Sequence, residues 1–158
     1  MFRLTHILFA AAALSAAPMA DAQTDHAQRL GDWHSACDAW GVPATCTSRW
    51  QQGKHDQHLV QDYAIVRAVD GVQIFAGRGL YRIVNGKVDG FWEDSRGKIL
   101  SLSGTYEGNV LNVVWGEASD EIGRSVYTLN DRGMRAVDSV LTETGWRAFM
   151  AIDYARAE

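Results

Sequence analysis

Charged side chains set inside apolar, β-branched segments are the residues of this sequence best placed to do chemistry: Arg78 and Arg82, then Glu93 and Asp94, then Glu117, Arg124, Asp138 and Asp153. An isolated buried charge is costly, so those that face inward should be paired. Such a group can fix the polar end of a ligand while Trp92, Tyr106, Trp115, Tyr127 and Trp146 form apolar walls. Arg78, Glu93 and Arg124 are the polar members of this candidate ligand-binding set. The opposing reading leaves the charges on a solvated outer face and the aromatics in a core; alternation by itself places Arg147 and Asp153 outside. Glu93, Asp94 or Asp138 near Arg124 could also act as a general base on a bound ligand. No motif demands that role, and no catalytic residue is assigned.

Other chemistries find less support. Beyond the amino-terminal segment the histidines are His26, His34, His55 and His58, all ahead of the long strand-rich region. A haem inside a barrel would want an inward imidazole, for which only His34 and His58 sit on expected strands. His55 and His58, with Asp56 between them, read as solvated loop residues; no metal site is expected, and no cofactor. There is no G-x-S-x-G elbow, and Ser125 has no histidine placed by sequence to pair with it. Gly77-Arg78-Gly79 lies inside a strand with no helix after it, unlike a nucleotide-binding loop. A formal net charge of −4 without a concentrated basic face argues against nucleic acid as a partner.

The start of the chain sets the compartment in which any of these groups would work. Arg3, an apolar run from Ile7 to Ala17, Pro18 and the triplet Ala20-Asp21-Ala22 are ordered as in a secretory signal peptide, assigned to residues 1–22. The apolar run is about half the ~20 residues of a membrane span, and no later stretch reaches that length, so no membrane span is expected. The protein is expected in the periplasm or secreted. Residues 23–158 then form one domain, and removal of Arg3 and Asp21 together leaves the net charge unchanged. In an oxidising compartment Cys37 and Cys46, separated by a segment with Gly41 and Pro43, read as a disulfide. So short a loop stabilises by roughly 2 to 3 kcal/mol in the chain-entropy model.

The elements that must position these residues are strands. Asp70-Gly71, Asn85-Gly86, Arg96-Gly97, Glu107-Gly108-Asn109, Asp131-Arg132-Gly133 and Glu143-Thr144-Gly145 punctuate the chain as hairpin turns. Between them, Leu100, Leu102 and Tyr106 alternate with Ser101, Ser103, Thr105 and Glu107, and Leu111, Val113 and Trp115 share a face. Trp146, Ala148, Met150, Ile152 and Tyr154 are expected on one face of the last strand. Further strands are expected near 44–51, 59–69, 72–84, 87–94, 121–130 and 133–142, and one helical turn over Asp25 to Leu30. An open sheet of nine or ten strands would expose two long edges, so the expected fold is all-β, an antiparallel up-and-down meander closed into a barrel. Trp33, Trp40 and Trp50 surround the cysteine loop and are expected to mark its packed base.

Several segments resemble the lipocalins. Leu30-Gly31-Asp32-Trp33 stands where that family carries its G-x-W motif, opening the first strand. Phe91 to Gly97, Gly104 to Asn109, Trp115-Gly116 and Gly123 to Tyr127 are similar to small exported bacterial lipocalin-like proteins of undefined function. The resemblance implies a barrel with a central cavity, Trp33 plugging its closed end, and an arginine stacked on Trp33, either Arg147 or Arg156. The expected function is non-catalytic binding of a small apolar or amphipathic molecule. The alternative is a periplasmic interaction or inhibitor module that meets a protein partner through the Cys37–Cys46 loop and Trp40.

Overall fold

The computed structural model describes residues 24–118 and 121–158; the expected signal peptide lies outside the described residues. A short helix, α1 (Thr24–Arg29), precedes ten strands: β1 (Gly31–Ala39), β2 (Val42–Gln52), β3 (His58–Arg67), β4 (Gln73–Val84), β5 (Lys87–Asp94), β6 (Ile99–Glu107), β7 (Val110–Gly116), β8 (Ile122–Asn130), β9 (Gly133–Thr142) and β10 (Gly145–Arg156). Each pairs antiparallel with its neighbour in sequence, and β10 returns to β1, so the expected closed barrel is the fold. Among the described residues no helix is long and apolar enough to cross a membrane.

Alternation decides which side chains enter the barrel. Leu100, Leu102 and Tyr106 on β6 are buried while Ser101, Ser103, Thr105 and Glu107 are exposed, as their period of two requires. Outside, cross-strand pairs such as Arg49–Asp32, Arg82–Asp89 and Arg135–Asp153 decorate the sheet. Each is exposed and adds little stability. Two-residue turns close several hairpins: Asn85 and Gly86 both hold positive φ (51° and 74°), the geometry of a type I′ turn. Trp40 and Gly41 do the same at 58° and 85°, and Asp38 accepts the Gly41 N–H at 2.7 Å. That conformation disfavours a bulky aromatic, so the turn carries local strain.

One end of the barrel is stoppered. Arg29, at the end of α1, is fully buried, with its guanidinium 5.5 Å from the Trp50 ring centroid and 5.3 Å from that of Tyr106. It donates to the carbonyls of Asn109 and Tyr127 and to the Met134 sulfur, and burial lowers its pKa. Trp33 Nε1 donates to the Arg29 carbonyl at 2.9 Å. The arginine that stacks on Trp33 is Arg156, 4.3 Å from the ring centroid and bonded to the Leu30 carbonyl at 2.6 Å. Trp33 and Trp50 therefore sit at the base, but the cysteine loop expected to mark that base does not: with Trp40, 61% exposed, it caps the β1–β2 hairpin at the opposite, open end. The two tryptophans lie at the start of β1 and the end of β2, and hairpin geometry puts the intervening turn at the far end of both strands.

The closure between β1 and β10 is short. Only Trp33↔Arg156 and His34↔Ala155 are in register, whereas β1 and β2 pair along their whole length. The Cys37–Cys46 disulfide is formed and ties the upper half of β1 to β2.

Candidate functional site

Above the stopper the barrel holds a cavity of about 370 Å³ that opens at the other end. Its lower wall is a buried polar network. Gln61 Oε1 accepts from the hydroxyls of Tyr81 at 2.6 Å and Tyr127 at 3.2 Å, while its amide donates to Ser48 Oγ at 3.0 Å. Burial first, and then the charge of Asp138, push both phenol pKa values upward, with Tyr127 adding to the effect on Tyr81, so these hydroxyls stay protonated donors.

The walls above are aromatic and aliphatic, with Tyr63, Ile65, Trp92, Leu102, Val113 and Trp115 contributing. Two glycines seat the indoles. A Cβ on Gly77 would fall 2.0 Å from the Trp92 ring, and one on Gly123 would fall 1.9 Å from the Trp115 ring. Gly123 lies directly opposite Trp115 in the β7–β8 register, so the ring can lie flat against the strand.

Asp138 faces inward on β9, in phase with Met134, Ala136 and Val140. Trp115 Nε1 donates to Ser125 Oγ at 3.1 Å, and Ser125 donates to Asp138 Oδ1 at 2.5 Å. Burial pushes the Asp138 pKa up to about 6, with the Ser125 hydrogen bond opposing it. At the mouth stand Trp40, Phe75, Arg96, Glu121, Arg147 and Phe149. Arg96 pairs with Asp94 at 2.8 Å and with Glu121 at 3.7 Å. Exposed apolar side chains gather at this end: Trp40, Val69, Val72, Ile99, Leu141, Trp146 and Phe149, with Phe91 the exception among those described.

Of the residues expected to bind a ligand, the structure brings Trp92, Trp115 and Tyr127 to the cavity. Tyr106 is buried in the base against Arg29, below it. Arg78 and Glu93 face outward, because Gly77, Gly79 and Trp92 take the inward phase of β4 and β5; Arg78 lies 3.5 Å from Asp62. Arg124 also faces outward, one residue out of phase with the inward Ser125, and stacks on Trp146 at 4.7 Å. The inward face expected for Trp146 is overturned by a register shift between Ala148 and Met150. This bulge reverses alternation in the first part of β10, turning Trp146 outward and bringing Arg147, expected outside, to the mouth. A carboxylate working beside Arg124 is therefore not assembled: Asp138 is inside, Asp94 is paired with Arg96 at the mouth, and Glu93 and Arg124 are outside.

Gln61 and Tyr63 carry no signal in the sequence, and Ser125, weighed there only as a nucleophile, shares the phase of Tyr127 and serves instead as a hydrogen-bond relay. A second concavity of about 1050 Å³ lies on the outer face of β1 to β5, where Asp32, His34, Arg49, Asp62, Arg78 and Glu93 line it. It is larger but open to water and walled by solvated ion pairs, so the enclosed interior is the better site. No histidine lines the interior among the described residues, leaving no imidazole to offer an iron: His34 is in the outer groove, and His58 is at the closed end with its ring 5.4 Å from that of His55. No group of three or more potential metal ligands occurs among the described residues. Compared with known proteins, the sequence matches no family model and no curated protein.

Proposed function

We propose that this protein is an exported, lipocalin-like barrel that binds a small apolar or amphipathic molecule without chemical turnover, in the periplasm or after secretion. The observation carrying this reading is the enclosed cavity of about 370 Å³, walled by aromatics and open at one end only. That volume is within the usual range for small-molecule sites and equals roughly a dozen waters at about 30 Å³ each. The stoppered base directs access to the mouth, where exposed apolar side chains offer a path for a poorly soluble guest.

Native mass spectrometry of protein isolated from the periplasm, with an absorption spectrum, tests this reading. A co-purifying small mass is expected, or saturable uptake of 1-anilinonaphthalene-8-sulfonate if the protein arrives empty. Neither a bound mass nor dye uptake would defeat it.

The exposed Trp40 favours a second reading, a protein-interaction module with this side chain as anchor. Under that reading the unaltered protein captures a partner and Trp40→Ala abolishes its pull-down; under the first neither protein captures one.

A further inference from the structure

Asp138 has an incomplete set of partners. The Trp115 N–H is donor-only and occupies Ser125 Oγ, so the Ser125 proton is directed to Asp138 Oδ1. The other oxygen, Oδ2, has no donor among the described residues. Nearby hydroxyls are directed elsewhere: Tyr81 and Tyr127 to Gln61, Tyr154 to the Tyr63 oxygen, and Tyr63 to the sulfurs of Met150 at 3.4 Å and Cys46 at 3.7 Å. The other titratable and charged groups lining the cavity are Tyr63, Tyr81, Tyr127 and Tyr154, with Arg96, Glu121 and Arg147 at the mouth. No described cation pairs with Asp138, and Arg96 is engaged by Asp94 and Glu121.

We propose that the cavity selects a protonated amine carried on an apolar body, with the ammonium seated against Asp138 and the apolar part among Tyr63, Trp92 and Trp115. The proposal rests on the ligand-binding reading and specifies the guest's head group. An enclosed carboxylate without a counter-ion is unfavourable, and an ammonium supplies both the missing charge and the missing donor. Aromatic faces carry negative potential and attract a cation that has left water. A carboxylate head would instead meet Asp138 with like charge. A neutral alcohol could donate to Oδ2 but would leave the charge uncompensated.

Isothermal titration with octylamine, octan-1-ol and octanoate separates these heads on one tail. At pH 7.5 octylamine is expected to bind at least tenfold more tightly than octan-1-ol, with octanoate weakest. At pH 5.0 the amine remains protonated while Asp138 is mostly neutral, so octylamine affinity should fall by roughly tenfold and octan-1-ol affinity should hold. Asp138→Asn should erase the amine preference at pH 7.5; if that variant does not fold, the two-pH series on the unaltered protein carries the test. Equal affinity for amine and alcohol, tighter binding of octanoate, or a pH-independent amine affinity overturns the proposal while leaving the cavity-binding reading in place. Failure of all three probes to bind overturns both.

Discussion

Replacing Asp138 with asparagine should stabilise the empty protein at neutral pH. Asparagine keeps the shape and offers an oxygen to the Ser125 hydroxyl, and it removes the charge. Burial raises the Asp138 pKa from 3.8 to about 6. A shift of about two units at about 1.36 kcal/mol each means that the ionised form weighs against folding by roughly 3 kcal/mol, an upper value because water in the cavity screens part of it. The sign follows from which state holds the proton. Below pH 3.8 both states are protonated and the group imposes no penalty. Between 3.8 and 6 the unfolded chain releases the proton first, so this group's contribution to stability falls as pH rises and levels off above 6. Urea unfolding of both proteins at pH 4, 5, 6 and 7.5 reads the difference. The variant should gain up to roughly 3 kcal/mol at pH 7.5 and little at pH 4. Parallel stability curves, or a variant equally destabilised at every pH, would refute the reasoning.

The stopper, an indole seat and the disulfide give three further expectations. Arg29→Ala removes the side chain from between Trp50 and Tyr106 and takes donors from two carbonyls, and should cost roughly 2 to 4 kcal/mol in urea unfolding; an unchanged midpoint would mean that the stopper adds nothing. Gly123→Ala places a methyl against the Trp115 ring, so thermal unfolding should report a loss of roughly 1 to 3 kcal/mol. A neutral result there would show that the indole moves freely. Reduction of Cys37–Cys46 should lower stability by roughly 2 to 3 kcal/mol, read as the difference between urea curves with and without reductant; coincident curves would count against the brace.

Much of the architecture is legible in the sequence because its signals are local. The hairpin turns and the alternation of β6 and β7 each lie within a few residues, and the structure follows them closely. The phase of β5 and β8 is local too, but the candidate set runs against it. Trp92 and Glu93, or Arg124 and Ser125, are adjacent and so must face opposite sides of a strand, which excludes Glu93 and Arg124 from the interior that Trp92 and Tyr127 enter. Trp146 was not legible, since the bulge that turns it outward depends on how β10 pairs with β9. Asp138 could be placed on an inward phase, but its chemistry arises from Ser125 across the β8–β9 register and Trp115 one strand further, a relation that no local pattern encodes.

The brief register between β1 and β10 bears on how the barrel forms. Nine of the ten strand pairings join neighbours in sequence and close small loops. The tenth joins residues far apart in the chain; Arg156 and Leu30, bonded beside it, are 126 positions apart. In a flexible chain, closing a loop of that size costs about 2 kcal/mol more in chain entropy than closing one of about ten residues; two register pairs, the Ala157 N–H donated to the Asp32 carbonyl, the Arg156 bonds to the Leu30 and Gln28 carbonyls and the Arg156–Trp33 stack offset it. A chain that has zipped its nine hairpins still presents two unpaired edges to its neighbours until Arg156 reaches Trp33. The same few contacts that complete the cylinder also end the interval in which it can pair with another copy of itself.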